Sequence, residues 1–191
     1  MKRIGITGSI GSGKTYVSKV FKSLGVPVFN SDLVSKNIIS NSPLLKCKLE
    51  SEFGNDIYLN NKLDTKKLAS IVFSNKSKLT RLNSLIHPLV KESFLKWISL
   101  QNNAYIIKEA AIMFESNSAE LLDAVICVSS PKDLRINRTI NRDKISRKEV
   151  LNRMNNQYSQ EKKEFLSDYI ILNDNKNLIL PQVIKIHSLF S

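Results

Sequence analysis

The sequence predicts an α/β protein, a parallel sheet of about five strands sandwiched between helices in three layers and interrupted by one helical insertion. Three observations carry that expectation. Five short apolar runs rich in β-branched residues recur along the chain with helical periodicity between them, the pattern of strands covered on both faces. The first run passes through a glycine-rich turn straight into a helical repeat. From about 42 to 101, in contrast, apolar residues keep helical spacing and no strand-like run intervenes.

In chain order, Arg3-Ile4-Gly5-Ile6-Thr7 reads as the first buried strand. The helix after the turn covers 14–24, with Val17, Val20, Phe21 and Leu24 on one face and Gly25 as its stop. Val26-Pro27-Val28-Phe29 is the second strand, and Asn30, Ser31 and Asp32 are N-cap residue types that open a second helix. The insertion, 41–103, divides by its apolar repeats: Leu44, Leu45, Leu49, Phe53; then Leu68, Ile71, Val72; then Leu79, Leu82, Leu85, Ile86; then Val90, Phe94, Trp97, Ile98. His87-Pro88 is expected to separate the last two helices, with Pro88 in a first helical turn. Asn60-Asn61-Lys62 is expected to turn, and Asp64 to cap a helix beginning near Thr65. Further strands follow at 104–107, 124–128 and 169–172, separated by a strongly basic helical stretch at 131–166 and followed by a terminal helix at about 178–190. The core is therefore expected to comprise residues 1–40 and 104–191.

With 191 residues, 42% apolar and 24% charged, the chain has material for one compact domain with an inserted part, and is unlike a disordered or collagenous polymer. No apolar run approaches the ~20 residues that span a bilayer. No signal-like stretch precedes the glycines, so a soluble cytoplasmic chain without a membrane partner is expected. Cys47 and Cys127 lie far apart without metal-ligand spacing, which points away from disulfides and structural zinc. Lys and Arg number 29 against 17 Asp and Glu, and the net charge of +12 implies an acidic partner. The excess is localised. Residues 1–49 hold eight Lys or Arg and one carboxylate, Asp32, while five of the seven arginines (Arg135, Arg138, Arg142, Arg147, Arg153) fall within nineteen residues.

Gly8-Ser9-Ile10-Gly11-Ser12-Gly13-Lys14-Thr15 fits G-x-x-x-x-G-K-[ST] between an expected strand and an expected helix. Glycines let the backbone curl so that successive N–H groups face phosphate oxygens, and the following helix adds its positive end. Lys14 reaches the β- and γ-phosphates in such a cradle, and the Thr15 hydroxyl ligates Mg²⁺. The expected architecture is accordingly P-loop nucleoside triphosphate hydrolase-like. The cradle alone leaves three classes open: a GTPase switch, an ATP-driven machine acting on nucleic acid, and a small-molecule kinase. Asn61-Lys62-Leu63-Asp64 mimics a guanine-reading NKxD, yet the chain has no D-x-x-G. Motor ATPases place a carboxylate directly after an apolar strand, whereas Val128 is followed by Ser129-Ser130-Pro131, and Glu109 is a partial match only.

Asp32 stands just past the second strand, at the carboxyl edge where ligands of parallel sheets bind. A carboxylate there can take or orient the proton of a phosphoryl-accepting hydroxyl, or it can simply cap the helix. Glu109 and Glu115, after the third strand, can each hold a metal-bound water or a substrate group, or be solvated loop residues. A His such as His87 before a proline is more often structural than catalytic, and His187 is incidental. Arg135, Arg138 and Arg142 are spaced to share one helical face, suited to phosphate by their planar forks.

In this combination the chain resembles the dephospho-coenzyme A kinase family along nearly its whole length. "TGSIGSGKT" is similar to the family's TGGIGSGKS, "VFNSD" to V-I-D-A-D, "LNSLIHP" to L-N-x-I-x-H-P, and "EAAIMFES" to its P-L-L-F-E loop. "RTINRD" followed by Arg147 resembles the lid, Gln157 matches a glutamine after it, and "SDYIILND" resembles A-D-x-V-I-x-N. The resemblance implies ATP-dependent phosphorylation of the ribose 3′-hydroxyl of dephospho-coenzyme A, with Mg²⁺, by a nucleotide-binding core, a substrate-binding helical insertion and a lid at about 138–150. It implies Asp32, Lys14, Arg138 and Arg142 as catalytic residues, Gly8, Gly11, Ser12, Gly13, Lys14, Thr15, Tyr16 and Arg147 as ATP contacts, and Thr7, Asp32, His87 and Glu109 as substrate contacts. Asn30 departs from the family's first Asp, and Tyr16 from its usual Thr. The partners implied are the two small molecules and no nucleic acid, for a monomer or weak homo-oligomer. The runner-up is a phosphotransferase of the nucleoside-monophosphate kinase type.

Overall fold

The computed structural model describes residues 1–59 and 62–191, so the two asparagines of the expected Asn60-Asn61-Lys62 turn lie outside the described residues. The chain divides into two units, Met1–Asn30 with Leu100–Ser191, and Ser31–Ser99.

The first unit is built on a five-stranded parallel sheet in the order β2 (Val28–Asn30), β5 (Tyr105–Glu109), β1 (Lys2–Thr7), β6 (Ala124–Ser129), β7 (Tyr169–Leu172). Alternation along the strands feeds two faces. Ile4, Ile6, Ile107, Ile126, Val128 and Ile171 pack with Val17 and Phe21 of α1 (Lys14–Ser23) and Val183 and Ile186 of α9 (Ile179–His187). Val125, pointing the other way, forms a smaller cluster with Ala110, Met113, Phe114 and Leu122, and α8 (Gln160–Phe165) lies against β6. This is the expected three-layer arrangement with five parallel strands. The edge strand β2 starts later than the apolar run suggests. Pro27 has no N–H to give a ladder, and its carbonyl instead accepts from Ile107 N at 2.9 Å. The basic stretch divides into α6 (Lys132–Asp143), α7 (Arg147–Asn155) and α8. Lys144, in a left-handed conformation, ends α6, and Ser146 with Glu149 forms a capping box that starts α7.

The second unit holds α2 (Ser31–Asn41), α3 (Pro43–Phe53), α4 (Thr65–Phe73) and α5 (Lys76–Ile98). Asp64 caps α4 as expected, accepting from the N–H groups of Lys66 and Lys67. Helix α2 packs on α5 and α3, which puts the unit boundary at Asn30 rather than near residue 40. Two expectations are corrected. The insertion is not wholly helical, because β3 (Tyr58–Leu59) and β4 (Lys62–Leu63) pair antiparallel. Two-residue strands are too short to show an alternation in the sequence. Nor does His87-Pro88 divide two helices: α5 runs unbroken through Pro88. Leu82, Ile86, Val90 and Phe94 are buried at four-residue spacing on either side of it, and continuity of that stripe outweighs the hydrogen bond that Pro88, exposed, cannot give to Ser84. Among the described residues no helix is long and apolar enough to cross a membrane.

Candidate active site

The loop joining β1 to α1 depends on glycine at two close approaches. A Cβ on Gly11 (φ 78°) would lie 2.2 Å from the Arg135 carbonyl oxygen, and one on Gly13 (φ 94°) 2.1 Å from Asn173 Nδ2. The Asn173 amide in turn donates to Ser12 O at 2.7 Å. Ser9 N–H and Ile10 N–H are accepted by side-chain oxygens of Gln160 (3.1 Å) and Gln157 (3.0 Å). Lys14 is 8% exposed and its ammonium donates to Gly8 O (2.8 Å) and Ser9 O (3.3 Å). Ser12 Oγ is buried without a hydrogen-bond partner among the described residues. An orphaned hydroxyl inside a curl of glycine backbone beside a buried ammonium fits a polyphosphate, whose oxygens accept from all three kinds of donor.

At the same edge Thr15 Oγ1 donates to Glu109 Oε1 at 2.6 Å, while Asn30 Nδ2 donates to Glu109 Oε2 at 2.9 Å. Glu109 is the last residue of β5 and 2% exposed, so it is no solvated loop carboxylate. Asn30 does here what an ionised Asp cannot, since it supplies a donor to the carboxylate. The hydroxyl and carboxylate oxygens of Thr15 and Glu109 are hard donors that fit Mg²⁺, which takes few protein ligands beside water and phosphate. Thr7 is fully buried and its hydroxyl donates to Ala110 O at 3.0 Å, joining β1 to the segment after β5. Tyr16 is 58% exposed at the first turn of α1. Glu115 is bound into the fold, accepting from Tyr158 N at 2.7 Å and pairing with the fully buried Lys163 at 2.9 Å.

The three arginines of α6 have three different surroundings. Arg135 is turned inward, its Nε on Ser130 O, and burial draws its pKa down. Arg138 spreads its fork over Ser130 Oγ, Asn173 O, Asn173 Oδ1 and Asn175 Oδ1, all neutral acceptors. Arg142 lies exposed with two nitrogens on Asp143, which also accepts from Arg153, and Arg147 pairs with Asp133. Arg135 touches the loop through its carbonyl at Gly11, whereas Arg138 is tied to it through its guanidinium by way of Asn173, with no carboxylate among the four acceptors named.

Asp32 and His87 belong to the second unit. Asp32 lies in the first turn of α2, two residues past the end of β2, and His87 is half-buried within α5. Sequence reading missed Gln160, Asn173 and Asn175 as parts of the loop's surroundings. Each acts across more than thirty residues of sequence and carries no periodicity; the available signals were the three-residue spacing from Gln157 to Gln160 and Asn173 within the "SDYIILND" motif, neither of which says what the side chain touches.

A family model described as dephospho-CoA kinase matches residues 2–178. A dephospho-CoA kinase of Bacteroides fragilis is 35% identical over 185 residues, spanning 96% of this chain and 90% of that protein. One of Porphyromonas gingivalis is 38% identical over 190 residues, 97% of this chain and 93% of its own length. The solved dephospho-CoA kinase from Campylobacter jejuni superposes with a TM-score of 0.69 at 28% identity, covering 97% of this chain and 95% of the other.

Proposed function

Because the chain belongs to the dephospho-CoA kinase family, we propose that it transfers a phosphoryl group from ATP to the ribose 3′-hydroxyl of dephospho-CoA, giving CoA. The observation that carries this reading is the loop of Gly8–Thr15 with its buried ammonium and orphaned Ser12 hydroxyl. In the reaction Lys14 leaves its two carbonyl partners for the β- and γ-phosphates, while the N–H groups around Gly11, Gly13 and Tyr16 hold the remaining oxygens. Arg138 and Arg142 neutralise charge on the migrating group and help to exclude water, and Arg147 contacts ATP beside them. Asp32 receives the proton of the acceptor hydroxyl. Thr15 and Glu109 would hold Mg²⁺, which when bound offsets phosphate charge. Glu109 also borders the acceptor, Thr7 shapes the floor through its bond to Ala110, and His87 with the rest of 31–99 binds dephospho-CoA.

A cytoplasmic setting suits these substrates, and the +12 charge serves polyphosphates rather than nucleic acid. Incubation with Mg·ATP and dephospho-CoA should give CoA by mass, with ADP in equal amount. No CoA, together with hydrolysis stimulated by polynucleotide, would instead mark a nucleic-acid ATPase.

A further inference from the structure

We infer that Gln157 and Gln160 are positioning residues that hold the phosphate loop in its binding shape and tie it to α6, the helix bearing Arg138 and Arg142; this deepens the phosphoryl-transfer reading and rests on it. Within the loop, Ser12 N–H is satisfied locally by Ser9 O at 3.1 Å. Ser9 N–H and Ile10 N–H look instead to acceptors about 150 residues away, Gln160 Oε1 and Gln157 Oε1. The orientation of the Gln160 amide is dictated by its neighbours. Its nitrogen faces Val128 O at 3.3 Å and Glu164 Oε1 at 2.9 Å, both acceptors, so its oxygen must face Ser9.

The support behind the two glutamines is fixed at both ends. Tyr158 N–H is held by Glu115, which is paired with the buried Lys163, so 157–163 is anchored to the segment after β5. Gln157 itself follows α7, and α7 is joined to α6 by Arg153 to Asp143 and Arg147 to Asp133, each at 3.0 Å. A continuous set of contacts therefore runs from the arginine helix to Ile10. Gly8, Gly11 and Gly13 make the free loop conformationally broad, and acceptors placed outside it narrow that ensemble before ATP arrives.

The test compares wild type with Gln157→Met and Gln160→Met, which keep side-chain length but lose the acceptor. Two readouts are taken on the full chain: hydrogen exchange of individual backbone amides by NMR, and ATP dissociation constants by calorimetry alongside kcat and both KM values. Gln157→Met should lose protection at Ile10 while keeping it at Ser9, and Gln160→Met the reverse. For Gln157→Met, weaker ATP binding by roughly three- to tenfold, the worth of one hydrogen bond, should appear in the dissociation constant and KM for ATP, with KM for dephospho-CoA unchanged. Gln160 is buried, so if its variant fails to fold, Gln157→Met alone carries the test. Unchanged Ile10 exchange, or faster exchange with unchanged ATP affinity, overturns the inference. A wild type that binds ATP yet makes no CoA overturns the reaction assigned above and leaves the ATP-binding arm decisive for the glutamines.

Discussion

Lys14 rests on two carbonyl oxygens of its own loop, so its charge is kept at the place where phosphate charge must be met. Lys14→Ala should lower kcat by ~10²–10³ without unfolding the protein, since an electrostatic contact to the migrating group is lost. Near-normal turnover in a purified, folded variant would dismiss the loop as the site of transfer. Asp32→Asn preserves size, and kcat should drop roughly 10²–10⁴ with little change in thermal midpoint if the carboxylate is the base. The contrary result, lower stability with full activity per folded molecule, would return Asp32 to the helix terminus alone. Arg138 grips four acceptors at once, and lysine cannot reproduce that fork, so Arg138→Lys should lower kcat and raise ADP formed per CoA as water gains access. Equal ADP-to-CoA ratios in variant and wild type would remove it from the lid. The cradle residues were legible because their spacing is local; the grip of Asn173 and Asn175 on Arg138 was not, since they reach it only because β7 lies beside β6.

Helix α5 shows where local rules yield to packing. A proline in a helix interior costs about 3 kcal/mol relative to alanine, yet Pro88 sits within twenty-three continuous helical residues. Pro88→Ala should therefore raise the unfolding free energy by about 1–3 kcal/mol, read from the urea midpoint at constant slope. An unchanged or lowered midpoint would mean that Pro88 is needed for more than it costs. The inner strands β1, β5 and β6 were readable as continuous apolar runs because both their faces are covered, β7 was readable from its β-branched composition although Ile170 and Leu172 are exposed, and α1 as a stripe because one face is buried. The β3–β4 ribbon was not, for two-residue strands leave no period to detect.

Across the whole molecule, burial couples the sheet to pH. Cys127, fully buried in β6, has its thiol pushed up to about 11 by desolvation, and burial likewise raises the Tyr105 phenol, which meets His187 at 2.7 Å. Both groups hold their protons more tightly folded than unfolded, so their contribution to stability is intact below the unfolded thiol value of about 8.5 and is lost as pH rises. Unfolding free energy should fall between about pH 9 and 11, and Cys127→Ala should flatten part of that decline; a pH-independent wild type over this range would contradict the assignment. Cys47, exposed, should label with a thiol reagent in the folded state, and Cys127 only on unfolding. The sequence by itself determined the layer architecture, the phosphate loop and the family, because these depend on periodicity and on residues adjacent in the chain. Tertiary structure alone decided that Glu109 is buried between Thr15 and Asn30, that α6's arginines divide into inward, poised and paired, and that two distant glutamines hold the loop. Those arrangements come from strand order and helix docking, which bring together residues whose separation in sequence carries no physical signal.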